Sequence, residues 1–146
     1  MSGKKKMLLV LGAAVMVLAA LLCVEHIQAR QDYRATLTFP AADQAEVTVT
    51  QYATGRMWEE LEEEQVSALL ERLEQEAVFA GIGSRESSPV PPEAQAYRIV
   101  ISDSAGYFHS FLIAEQGTQN RLYGDSFVIK LREMPETARL LAGWFR

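Results

Sequence analysis

Few residues of this chain have reactive side chains, and their spacing limits what they could do together. There are two histidines, one cysteine and a dense run of glutamates. His26 adjoins an apolar N-terminal run, which leaves His109 as the only histidine of the downstream sequence. Catalysis by His109 would need a carboxylate to orient the ring and a hydroxyl or thiol for it to activate. Sequence alone cannot place such partners around it, and a histidine packed at a sheet position is the preferred reading. Where residues alternate along a strand, His109 shares a face with Tyr107, Phe111 and Ile113, the setting of a histidine packed among aromatics. The single cysteine, Cys23, falls inside the apolar run, so the rest of the chain has no disulfide, thiolate metal site or cysteine nucleophile. A zinc site built from one histidine and no cysteine would rest on carboxylates, an unusual donor set. No metal or cofactor is expected.

Glu59, Glu60, Glu62, Glu63 and Glu64 form the densest charge cluster. Carboxylates in a first helical turn are favoured by the positive end of the helix dipole, and this reading is preferred to a cation site. A calcium loop would instead space Asp and Asn around a glycine. The stretch Gly81-Ile82-Gly83-Ser84 has the glycines of a phosphate loop, but it leads into prolines and not into a new helix. Ser104 and Ser126 follow Asp103 and Asp125 in turn-like sequence, where such residues serve backbone geometry. The residues with most to offer a partner are therefore Trp58, His109, Trp144 and Phe145, because buried aromatics often anchor interfaces. Core packing is the commoner fate of such aromatics.

The elements that position these residues begin with an anchor. Lys4, Lys5 and Lys6 precede residues 7–24, which are 18 consecutive residues without a charge. A helix of that length spans about 27 Å, close to the roughly 30 Å of a bilayer's hydrocarbon core. Lysines favour the cytoplasmic side, which places the N-terminus inside and the remainder outside. A cleaved signal would need a small-x-small site, and the nearest one, Ile27-Gln28-Ala29, has a bulky first residue. A lipidated Cys23 would follow a small residue, whereas Leu22 precedes it. A retained anchor is thus preferred over cleavage or lipidation. The expected organisation is a basic tail over 1–6, a transmembrane anchor over 7–25, a juxtamembrane linker over 26–32 and one extracytoplasmic domain over 33–146.

From residue 31 onward there are 18 acidic against 10 basic residues, a net charge of −8. Such a domain repels phosphate backbones, so nucleic acid is not an expected partner. An anionic lipid surface is equally unfavourable. The 116 residues from Gln31 are enough for one hydrophobic core.

Period-two alternation predicts strands over 33–39 and 45–50, then a hairpin loop around Gly55 and a short return carrying Trp58. Val66, Leu69, Leu70, Leu73 and Ala77 form one stripe of an amphipathic helix that starts near Glu62. The Gly-, Ser- and Pro-rich segment 78–93 is expected to be an exposed loop. Strands are expected over 97–101, 107–114, 119–123 and 126–131, with Gly124-Asp125 as a two-residue turn. Pro135 opens a closing helix with Leu140, Leu141, Trp144 and Phe145 along its apolar edge. The fold class is α+β: an anchor helix, then an antiparallel sheet of about five to six strands with two helices.

The anchor, the run Trp58-Glu59-Glu60-Leu61-Glu62-Glu63-Glu64-Gln65-Val66 leading into the Leu69-Leu70…Leu73 helix, and the strand-to-turn Ile99-Val100-Ile101-Ser102-Asp103 resemble small uncharacterised surface proteins of Gram-positive bacteria. The likeness is one of layout, and no catalytic residue transfers from it. The expected function is a membrane-anchored, non-enzymatic binding or regulatory module that contacts a protein, peptide or envelope component. The alternatives are a carboxylate-based cell-envelope hydrolase and a structural or assembly subunit of an envelope complex.

Overall fold

In the computed structural model, which describes residues 2–83, 95–115 and 120–145, one helix dominates the N-terminus. This helix, α1, runs without a break over Gly3–Thr36. In an apolar medium a backbone must satisfy its own hydrogen bonds, and the Leu-, Ala- and Val-rich run does so as a helix. The helix is long and apolar enough to cross a membrane, and its apolar stretch is exposed throughout. Leu37 caps it and Pro40 prevents it from resuming.

Two expectations are overturned at this point. Residues 26–32 do not form a linker, and residues 33–36 do not begin a strand, because both belong to α1. Residues 33–39 fit a period of two when read alone. The helical period wins because Ala29, Tyr33 and Thr36, at i, i+4 and i+7, face the domain together, and Ala29 and Thr36 are wholly buried.

The domain then follows as β1 (Glu46–Gln51), β2 (Met57–Trp58), α2 (Glu63–Glu76), β3 (Phe79–Gly83), β4 (Ala96–Ser102), β5 (Phe108–Ala114), β6 (Arg121–Tyr123), β7 (Val128–Leu131) and α3 (Pro135–Trp144). All seven strands join one antiparallel sheet in the order β2-β1-β4-β5-β6-β7-β3, which confirms the α+β plan with slightly more strands than expected. The extra strand is β3, which lies in a segment expected to be a loop. Its glycines disfavour a strand locally, but pairing of Gly81, Ile82 and Gly83 with Lys130, Ile129 and Val128 outweighs that preference. Gly81, at φ +145°, sits where the register shifts after Phe79. Residues 84–93 of the expected loop lie outside the described residues.

Register determines which residues share a face. Val49, Ile99, Phe111, Leu122 and Ile129 are successive partners across five strands, and each is wholly buried. This row packs against Val66, Leu69, Leu70 and Leu73 of α2 and Ala138 and Leu141 of α3. Helices therefore cover one face of the sheet. At the start of α2, Gln65 Oε1 accepts the Glu62 N–H at 3.0 Å, half of a capping box. No side chain of its own caps α3. The Glu76 carboxylate at the end of α2 does so, accepting the N–H groups of Glu136 and Thr137 at 2.8 and 2.7 Å and the Thr137 hydroxyl at 2.5 Å.

Candidate functional site

The end of α1 that leaves the apolar run is seated on the domain by several contacts. His26 meets the Phe79 ring edge-on at 6.5 Å, and the Arg30 guanidinium lies 5.0 Å from the centre of the same ring. Tyr33 packs edge-on against Phe79 at 5.8 Å and donates its hydroxyl to the Ala77 carbonyl at 2.5 Å. Its pKa is raised, chiefly by burial, with the Phe79 backbone and Arg34 pulling the other way. Next to Tyr33 in the chain, the Asp32 carboxylate accepts three successive backbone N–H groups, those of Asp125, Ser126 and Phe127, at 3.2–3.3 Å. The chain can come this close because residue 124 is glycine. A Cβ there would stand 2.2 Å from Asp32 Oδ2. The predicted two-residue turn at Gly124-Asp125 is instead a four-residue connection closed by Gly124 N–H to Phe127 O at 3.0 Å.

His109 lies beside this seat. Its Nδ1 is 3.0 Å from the Tyr123 carbonyl, which can only accept, so Nδ1 donates there. Nε2 faces Asp125 Oδ1 at 3.7 Å, beyond hydrogen-bond range. Tyr107 stands edge-on to the imidazole at 4.7 Å and donates its hydroxyl to the Thr36 carbonyl at the end of α1. Burial, then Asp103 and Asp125, raise the Tyr107 pKa well above its ordinary value. The strand-face grouping of His109 with aromatics is thus present, with an acidic residue added by the β6–β7 connection. None of the hydrogen bonds described for His109 involves a hydroxyl or thiol.

Trp58 and Phe145 come together at the opposite edge of the sheet. Their rings meet edge-on at 6.0 Å, and Phe145 also packs on Tyr97 at 5.7 Å. Arg56 lies 5.9 Å from the Phe145 ring and donates to the Phe145 carbonyl at 3.3 Å. Phe145 is part of the core, while Trp58 and Trp144 are half-buried against it. His109 is not near this group in the sheet order, so the four singled-out residues form two separate places and not one site.

A third place comes from the register alone. On the face away from the helices, Thr50, Arg98, Leu112, Arg121 and Lys130 are successive partners across β1, β4, β5, β6 and β7. Adjacent strands are about 4.8 Å apart, so three cations share a row roughly 14 Å long. Among the described residues none of the three has an ion pair, and Arg121 Nη1 is buried without an acceptor. The next row holds Val100, Ser110, Tyr123 and Val128, and Phe108 beyond it is 68 % exposed. The sequence hid this row because its three cations lie on different strands, far apart along the chain. The helix face has the opposite charge: Glu62, Glu63, Glu64, Ser67, Ala68, Glu71 and Ala42 line a shallow surface hollow on α2.

Among the described residues no group of three or more His, Cys, Asp or Glu is placed to hold a metal. No protein-family model, curated protein or solved structure matches the chain.

Proposed function

We propose that the chain is a single-pass membrane protein with a cytoplasmic N-terminus, whose acidic domain acts outside the cytoplasm by non-covalent contact with a protein, peptide or envelope component. The observation that carries this reading is the division of α1. Its apolar stretch touches nothing in the molecule, while the turns that follow are fixed to the domain by Arg30, Asp32, Tyr33 and Thr36. An apolar surface of this size needs a covering, and its length matches a bilayer. Lys4, Lys5 and Lys6 support the inside placement of the N-terminus. Ala29, which a cut after Ile27-Gln28-Ala29 would have to expose, is helical and wholly buried, and this favours a retained anchor.

The docked helix also supports action by contact. Phe79 touches His26, only two residues beyond the apolar run, so the β3 edge is held within a few ångströms of the bilayer surface. A domain held this close would meet partners in or beside the same membrane. The test has two arms, both in intact cells. A membrane-impermeant maleimide should label Ala53→Cys but not Ser2→Cys, in a Cys23→Ala background. A photo-crosslinker replacing Phe108 should give a discrete adduct that Arg98→Glu removes. Labelling of Ser2→Cys alone would refute the topology, and the absence of any adduct would refute action by contact through the sheet face.

A further inference from the structure

The edge of the sheet that α1 holds nearest the apolar run carries a hollow. Phe79 pairs with Leu131 and Gly81 with Lys130, so Ala80 has no partner in the register and bulges from β3. The hollow at this bulge, of about 470 Å³, is lined by Ala80, Lys130, Leu131, Arg132 and Glu133. Ile129 and Leu131 are buried, and Lys130 and Arg132, alternating with them, share the outer side of the chain. Ala80, Lys130, Arg132 and Glu133 are themselves exposed, so the hollow is open at the sheet edge. Among the described residues neither cation forms an ion pair. The Arg132 N–H donates to the Val78 carbonyl at 3.0 Å, which keeps Val78, 42 % exposed, beside the hollow.

The height of the hollow follows from α1. Phe79 is touched by His26 and Arg30, two and six residues beyond the apolar run. It therefore stands about 3–9 Å above the hydrocarbon edge, within the head-group layer, which is roughly 5–8 Å thick. From Phe79, β3 leads towards Gly83 and the connection held by Asp32, further from the run than His26. That direction is away from the bilayer, so the antiparallel β7 leads back towards it. Arg132, just past Leu131, and Val78, just before Phe79, thus lie on the bilayer side of that pair.

From this we infer that the hollow binds the head group of an anionic phospholipid of the same membrane, one with a phosphodiester and hydroxyls, as in phosphatidylglycerol. The inference names an envelope component for the contact proposed above and rests on the anchored reading. Lys130 and Arg132 donate to the phosphodiester oxygens. With Glu133 beside them they leave the site one positive charge in excess, which matches a singly charged phosphodiester. Glu133 accepts from the head-group hydroxyls, and Val78 and Ala80 give apolar contact beside them. The charge of the whole domain disfavours an anionic surface, but its densest acidic cluster stands elsewhere. Glu63 and Glu64 lie about 18–20 Å along α2 from its end at Glu76, beyond the roughly 8 Å over which exposed charges act at physiological salt. The Glu76 carboxylate is already bonded to the start of α3.

The test uses the full chain in phosphatidylcholine vesicles that carry a trace of phosphatidylglycerol with a photoreactive group on its head. After irradiation, adducts should map to residues 78–80 and 130–133. Photoreactive phosphatidylcholine, whose choline brings a further cation to the site, should give roughly tenfold fewer. Lys130→Gln with Arg132→Gln should lower the phosphatidylglycerol adducts by roughly tenfold, since each cation near a lipid surface favours an anionic lipid about fivefold. Arg72→Gln with Arg139→Gln removes the same charge elsewhere and should leave the adducts unchanged. Lys130→Arg with Arg132→Lys keeps both charges and should keep the adducts. Equal adducts from the two lipids, or adducts indifferent to Lys130→Gln with Arg132→Gln, would overturn the inference. So would displacement of the lipid by soluble glycerol phosphate, which would make the ligand a free phosphate ester. Flotation with the vesicles reports anchoring separately. Chains that float without adducts at the hollow refute only the head-group site, whereas chains that do not float refute the anchored reading and the inference with it.

Discussion

The contact between Asp32 and the β6–β7 connection gives a quantitative prediction. Asp32→Ala removes the one carboxylate that accepts three hydrogen bonds from the N–H groups of residues 125–127, all long at 3.2–3.3 Å and at a partly exposed position. Water partly replaces them, so the expected cost is about 1–2 kcal/mol, not the sum for three buried bonds. Gly124→Ala in the native chain places a methyl 2.2 Å from Asp32 Oδ2 and 2.8 Å from its Cγ. The carboxylate must swing away, so this substitution should cost about as much as losing Asp32 itself, roughly 1–2 kcal/mol. Gly124 does not have a positive φ, so its backbone conformation accepts alanine. In an Asp32→Ala background the same Gly124→Ala change should therefore be neutral, or stabilising by a few tenths of a kcal/mol through the unfolded chain. The two changes share one contact, and the coupling between them should be about 1–2 kcal/mol. Urea unfolding of the full chain in neutral micelles, followed by the fluorescence of Trp58 and Trp144, measures all four corners of the cycle. Costs that simply add would refute the seating of α1 on this connection.

Three further expectations follow from the same geometry. Glu76→Ala should cost about 2 kcal/mol, because it strips the N-terminus of α3 of the acceptor for three donors, and amide exchange at Glu136 and Thr137 should quicken. Phe145→Ala should cost about 3 kcal/mol by emptying the space between Trp58 and Tyr97, and should shift the Trp58 emission towards the red. The phenols of Tyr33 and Tyr107 are held protonated in the folded chain, with pKa values raised above the ordinary 10.0. Their contribution is fully present below pH 10.0 and is lost as pH rises above it, since the unfolded chain ionises first. Unfolding midpoints recorded from pH 8 to 11 should fall at the alkaline end, and Tyr33→Phe with Tyr107→Phe should flatten that fall.

Much of the domain was legible in the sequence because amphipathic periods are local. The stripe Val66, Leu69, Leu70 and Leu73 and the alternation through Ile99, Ile101, Phe111 and Ile113 name their own elements and their own core faces. Legibility ended where local patterns compete or where pairing decides. Tyr33 fits both a strand and a helix, and Ala29 and Thr36, buried on the same helical face, decide for the helix, which ends before Leu37 and Phe39. Phe79 to Gly83 has the glycines of a loop, yet it pairs with β7 because its partner strand is there to receive it. Asp32 could not be found, because its acceptor role depends on a connection more than ninety residues away. The row of Arg98, Arg121 and Lys130 depends on the register of four strands, which no single segment specifies. Residue type alone does not separate a core aromatic such as Phe145 from a surface one such as Phe108.

The central claim is that the membrane helix and the domain form one rigid piece, with no flexible joint over 26–32. Cys23, the chain's only cysteine, lies in α1 beside those residues, and Ala53→Cys lies in the β1–β2 loop of the domain. Spin labels at these two positions, in neutral nanodiscs holding one chain each, give the distance between helix and domain by pulsed electron resonance. A single narrow distance distribution that broadens in Asp32→Ala is the predicted result. A broad distribution in the native chain would mean that the domain swings on a tether, and would contradict the account.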